Sequence, residues 1–241
     1  MMRRGMTAAV LAAAGLGMIA APAAASEKEA DRPVAKKKPA PPNTLTAAEK
    51  KAGFVLLFDG KSLKDWKVGD NPKTFQVADG KIVVNGPRAH AFYAGPVANH
   101  TFKSFELRAR VLVHPKSNSG IYIHTRYQEK GWPGQGYECQ VCSDQFGDPR
   151  KTGSIYRRSD VKKSPVKDGE WFDYHIVVRG RKITTILNGK KAAEYTDPAD
   201  PGQRRLKGGT IALQGHDPKS RVEYHTIRIR PLPEKDEKKP E

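Results

Sequence analysis

The chain has 241 residues, of which 37% are hydrophobic and 29% charged, and a formal net charge of +17. That length suits one large all-β domain or two small ones, and two cysteines cannot build a disulfide framework. The basic excess invites a nucleic-acid reading. However, pairs such as Arg157-Arg158, Lys162-Lys163 and Arg204-Arg205 are scattered, with no arginine-rich helix, recognition-helix pattern or RNP-like motif, so no nucleic-acid partner is expected. Anionic glycans or an acidic cell surface would also answer the charge.

In chain order, residues 1–25 have the layout of a secretory signal: Arg3 and Arg4, an apolar run over 8–21, and small residues at 23–25 for cleavage. The run is short and Ala/Gly-rich for a membrane span of about 20 strongly apolar residues. No stable membrane insertion is expected after cleavage, and the location expected is periplasmic or secreted. Residues 26–46 are rich in Pro, Ala and Lys and nearly lack large apolar side chains, which makes them a disordered linker. The tail 233–241 has the same character, so the folded unit spans 47–232.

Within that unit Thr46-Ala47-Ala48-Glu49 carries a capping-box pattern for one short helical turn. Strands are expected at 53–59, 74–77, 81–84, 105–113, 120–126, 136–142, 171–179, 182–187, 190–195, 210–214 and 221–229, with hairpin turns at Asp79-Gly80 and Asn188-Gly189. About ten to twelve strands with hardly any helix imply an all-β sandwich or closed barrel. Trp66 and Trp171 open apolar stretches and are assigned to the core.

Residues 118–144, NSGIYIHTRYQEKGWPGQGYECQVCSD, read as two strands joined by a Gly/Pro/Trp-rich loop. Side chains alternate between faces along a strand. With the apolar faces paired, His124, Arg126, Glu138 and Gln140 stand together on the opposite face, as either a polar site or a solvated sheet surface. Gln214 and His216 share one face of the strand at 210–214, with Tyr156 a candidate neighbour. Trp132, in the joining loop, either stacks on a sugar ring or pins the loop. Cys139 and Cys142 lie in one strand, roughly 10 Å apart at Cα and so beyond the ~7 Å reach of a disulfide. With no second Cys-x-x-Cys for zinc, they are packing or partly exposed thiols.

Seven stretches resemble the 3-keto-disaccharide hydrolase family: GFVLLFDGKSLKDW, SNSGIYIH, GYECQV, TGSIY, GEWFDYHIVVRG, LNGK and IALQGH, in that order between Gly53 and His216. The resemblance implies a concanavalin A-like jelly-roll sandwich of two antiparallel sheets with its site on the concave face. It also implies a secreted bacterial enzyme acting on 3-keto-glycosides. A ketone at C3 acidifies the C2 proton, so a base forms an enolate, the C1 aglycone is eliminated and water adds back. The candidate catalytic residues are Glu138 (base, acid or metal ligand), His124 and His216 (proton transfer) and Arg126 (enolate stabiliser). Asn118, Gln140, Trp132, Tyr156 and Gln214 are the candidates for substrate binding. A divalent metal could polarise the ketone instead, though no metal motif singles one out. Ordinary glycosidases need two carboxylates about 5–5.5 or 6.5–9.5 Å apart. The next residues on the Glu138 face are Gln140 and Cys142, and Asp144 is the nearest other acid. The alternative from another class is a non-catalytic, lectin-like carbohydrate-binding module.

Overall fold

A computed structural model describes residues 41–200 and 202–233. The expected signal segment and most of the linker and tail lie outside the described residues. The end of the expected linker does not hang free. Asn43 donates its backbone N–H to Thr226 Oγ1, accepts from Thr226 N on its own Oδ1, and donates Nδ2 to Gly80 O. Thr46 then caps helix α1 (Ala47–Lys51) in a closed capping box with Glu49.

Thirteen strands among the described residues form two antiparallel sheets. One is eight-stranded. Its main path runs β11 (Lys190–Thr196), β10 (Lys182–Leu187), β9 (Trp171–Arg179), β6 (Phe105–Val113), β13 (Arg221–Pro231), β4 (Lys81–Asn85) and β3 (Phe75–Ala78). β1 (Val55–Leu56) pairs with β13 beyond the end of β4. Between these two pairings β13 bulges, with Thr226 at φ +51°. A β-branched residue resists the left-handed region, and the Asn43 bonds hold it there. The five-stranded sheet runs β2 (Trp66–Val68), β5 (Ala89–Tyr93), β12 (Thr210–Gly215), β7 (Asn118–Thr125) and β8 (Tyr137–Cys142). This is the all-β sandwich that the motifs implied.

Period-2 alternation builds the core. Phe105, Leu107, Val111, Phe172, Tyr174, Ile176, Val222 and Tyr224 from the larger sheet meet Ala91, Tyr93, Ile121, Ile123, Cys139, Val141, Ile211 and Leu213 from the smaller. Both expected tight turns put their two residues at positive φ, Asp79 and Gly80 at +49° and +72°, Asn188 and Gly189 at +47° and +79°. These backbones suit the right-handed twist of the flanking strands. Trp66 is in the core, its indole donating to Leu57 O. Trp171 is not: odd positions of β9 face outward, and its ring lies 4.5 Å from that of His225 on the outer surface of the larger sheet. Both thiols are fully buried, rather than partly exposed, and burial pushes that of Cys142 up to about 12. They pack as small apolar groups.

Candidate active site

The face of the five-stranded sheet that points away from the core presents a short grid of side chains. β7 and β8 pair Tyr122 with Glu138 and Gly120 with Gln140. β12 sets Ala212 beside Tyr122, and also pairs Ala212 with Phe92 and Gln214 with His90 of β5. Phe92, Ala212 and Tyr122 make a small apolar cluster, with the polar row alongside it. Segment 152–156 runs along the free edge of β8: Gln140 N donates to Ser154 O, and Tyr156 N to Glu138 O. The TGSIY motif thus covers an otherwise open edge and brings Tyr156 next to Glu138.

Over this face opens a cavity of about 470 Å³, whose walls include Asn118, Tyr122, Trp132, Glu138, Gln140, Asp148, Tyr156, Gln214 and His216. Its size is that of a small-molecule site. Glu138, only 8% exposed, sits on the floor. Tyr122 donates its hydroxyl to Oε2 at 3.0 Å, and Gln214 Nε2 donates to Oε1 at 2.9 Å. The Gln140 amide, oriented with its nitrogen toward the acceptors around it, donates to Glu138 Oε1 and Ser119 O at 2.9 Å each. Burial, assisted by the negative charge of Asp148, raises the Glu138 carboxyl to about 7 against the opposing effect of Tyr122 and Gln214. Such a group exchanges a proton near neutrality. Gln214 Oε1 is buried with no partner of its own.

His216 stands on the rim. Its Nδ1 lies 2.9 Å from Asp217 Oδ2, which also accepts from Ser220 Oγ at 2.7 Å. Asp217 titrates below the usual range: its burial is outweighed by the bonds from Ser220, His216 and Lys219. An ionised Asp217 accepts a hydrogen bond from Nδ1–H, which turns Nε2 into the ring nitrogen left for other partners. Trp132 is 45% exposed, its ring 5.3 Å from that of His216 and 5.5 Å from that of His90. The Trp132 loop is tied by Gln128, which donates to Lys130 O and Trp132 O and accepts from Gly134 N. A positioned indole beside a polar floor offers a flat apolar face to whatever enters the cavity.

Residues 53–230 match the 3-keto-alpha-glucoside-1,2-lyase-like domain. The chain belongs to that family. Among solved structures, a putative glycosyl hydrolase of Parabacteroides distasonis superposes with a TM-score of 0.67 at 23% identity, covering 80% of this chain and 100% of its own. A second such protein from that organism gives 0.54 at 25% identity, covering 81% and 94%. A Bacillus subtilis protein of unknown function with a galectin-like fold gives 0.56 at 10%, covering 72% and 92%. No curated protein sequence matches the chain.

In this lyase-like domain the expected site residues divide in two. Glu138, Gln140, Gln214, His216, Asn118, Trp132 and Tyr156 share the cavity. His124 and Arg126 do not. His124 takes φ +52°, which breaks the alternation of β7 and swings the ring away from Glu138. Its Nδ1 accepts from Gly208 N at 3.2 Å and its Nε2 donates to Lys103 O at 2.7 Å. Burial lowers its pKa to about 4, despite the Lys103 bond and the charge of Asp197. It is a neutral structural residue. Arg126, past the end of β7, borders a separate cleft with Lys67 and Tyr127. Asp144 is also elsewhere, accepting from Ser164 N, and the second acid on the cavity wall is Asp148, paired with Arg150 at 3.3 Å. Sequence reasoning missed Tyr122 as the Glu138 partner, Asp148, and His90 behind Trp132. Tyr122 was recoverable, since it shares the Glu138 face in the same alternation. Among the described residues no group of three or more His, Cys, Asp or Glu could hold a metal ion.

Proposed function

We propose that this lyase-like domain cleaves glycosides already oxidised at C3, as a periplasmic or secreted enzyme. The supporting observation is one buried carboxyl raised to about 7, held by three donors on the floor of a sugar-sized cavity. Glu138 takes the C2 proton, and the pair of electrons it leaves becomes the enolate of the C3 ketone. Collapse of the enolate forms the C1–C2 double bond and expels the C1 aglycone, which receives a proton from His216 Nε2. Water then adds back: His216 Nε2 takes one of its protons as its oxygen bonds C1, and Glu138 returns a proton to C2, so that both groups are restored and the net change is hydrolysis. Asn118 and the unpartnered Gln214 Oε1 are placed to hold sugar hydroxyls. One base and one acid suffice, so a symmetric pair of carboxylates is unnecessary.

The deciding experiment incubates the protein with a 3-keto-glucoside and with its unoxidised parent. Release of aglycone from the ketone alone is the expected result. Binding of both without release would make this a carbohydrate-binding module instead. Trp132→Ala should raise KM about tenfold while lowering kcat less, because stacking on an exposed ring is mainly ground-state binding. An unchanged KM would leave Trp132 with only its loop-pinning role.

A further inference from the structure

We propose that Arg157, Arg158 and Arg205 form an oxyanion-binding subsite at the mouth of the Glu138 cavity, selecting substrates whose aglycone carries a carboxylate, sulfate or phosphate. All three line the cavity. Among the described residues none of them is ion-paired. That sets them apart from arginines on the larger sheet, where Arg108, Arg110 and Arg221 each face a carboxylate at 3.3, 3.3 and 2.8 Å. A net charge of +17 accounts for solvated arginines anywhere, but not for three unneutralised ones converging on one opening.

Each guanidinium lies over an aromatic ring. Arg158 lies 5.9 Å from the ring centres of both Tyr137 and Tyr195, Arg205 5.3 Å from Tyr137, and Arg157 5.4 Å from Tyr156. A guanidinium over a ring can still offer N–H groups to an oxyanion. Arg158 and Arg205 are also held through their backbone, Arg158 N donating to Ile155 O at 2.8 Å. Arg205 N donates to Asp197 Oδ2 at 2.9 Å, and its Nη2 to Gly134 O at 3.4 Å. Arg157 adopts φ +58°. A non-glycine residue in that region is strained, and such strain is found at ligand-binding positions. The floor amides suit neutral hydroxyls, while Arg157 and Arg158 are exposed and Arg205 half-buried. The charged group is therefore on the part of the substrate that projects outward, the aglycone.

The inference rests on the 3-keto-glycoside reading, and the test separates the two. The 3-keto derivatives of 4-carboxyphenyl and 4-carbamoylphenyl glucoside, in both anomers, differ only in the charge on the aglycone. The carboxylate should be preferred in kcat/KM by about tenfold or more at low salt, the scale of a charge-assisted pair. The preference should shrink in roughly 0.5 M salt and approach unity in an Arg158→Gln/Arg205→Gln double variant. Taking the ratio within each protein cancels any general loss of activity. Equal kcat/KM, or a preference that survives the double substitution, overturns the subsite. If neither ketone is cleaved, the catalytic reading fails alone. Binding of the two unoxidised glucosides, followed by tryptophan fluorescence, then decides. A tenfold tighter carboxylate that is lost in the variant keeps the subsite, and equal or undetectable binding removes it.

Discussion

Glu138→Gln should abolish turnover of a 3-keto-glycoside, by about 10³-fold or more, and at the same time make the protein more stable above neutrality. The loss follows from removing the base: general-base catalysis contributes about 10²–10⁴-fold, and this site offers no second acid on the same row of the sheet. The gain follows from linkage. Burial raises the Glu138 carboxyl from 4.5 to about 7, so the folded protein holds a proton that the unfolded chain gives up. A group of this kind contributes no penalty below its unfolded pKa, and folding loses stability as the pH rises from there through the folded value. At about 1.4 kcal/mol per pH unit, the loss by pH 8 is about 3 kcal/mol.

The carboxamide escapes that penalty and keeps most of the geometry. Its oxygen can still accept from Gln214 and Gln140, and its NH2 can donate to the Tyr122 hydroxyl, which accepts as well as donates. The melting temperature of the variant should match that of the wild type near pH 4.5 and exceed it by roughly 5–10 °C at pH 8. The same ionisation should appear in wild-type kcat/KM as a limb that rises about tenfold per pH unit up to about pH 7. A variant with unchanged turnover removes Glu138 from the chemistry. A variant whose melting curve falls with pH as steeply as the wild type shows that the buried carboxyl is not the group responsible.

The parts of this design that a reader of the sequence could find are those governed by alternation and turn chemistry. The bounds of β6, β9 and β10 follow from apolar residues at every second position and from Asn188-Gly189 between two runs. Glu138, Gln140 and Gln214 were recoverable because β8 and β12 keep strict alternation through the polar row. His124 was misplaced because parity assumes an unbroken strand, and one left-handed residue reverses it. The groups that hold His124, Gly208 N and Lys103 O, are distant in sequence and leave no local trace. β5 was missed altogether. Its core-side residues include the small Ala89 and Ala91, and AHAFY has no β-branched residue to mark a strand. The histidine that supports Trp132, His90, went unnoticed with it. Trp171 differs for another reason: an aromatic on an outer sheet face can be half-covered by a side chain from two strands away, here His225 of β13, without entering the core.

Gly120→Ala tests the site without changing its charge. Gly120 pairs with Gln140 across the β7–β8 ladder, and the Glu138 side chain lies directly over it. A Cβ at position 120 would stand 2.5 Å from Glu138 Oε1, 2.8 Å from Cγ and 3.0 Å from Cδ, so the carboxylate must move. It cannot move freely, because Tyr122, Gln214 and Gln140 hold both of its oxygens, and a shift of about 1 Å loosens all three bonds together. Displacement on that scale reduces catalysis by about 10²-fold, and overpacking typically destabilises by about 1–3 kcal/mol. The expected pattern is a fall mainly in kcat, because Trp132 and His216 on the rim are untouched. Gly147→Ala is the control: its Cβ would meet nothing within 4 Å and its φ is not positive. Full activity in Gly120→Ala, alongside an unaltered Gly147→Ala, would mean that catalysis does not depend on where Glu138 sits. Activity lost in both would point to the loops rather than to this contact. Only a loss confined to position 120 ties the chemistry to a strand residue whose contribution is the space left by its missing side chain.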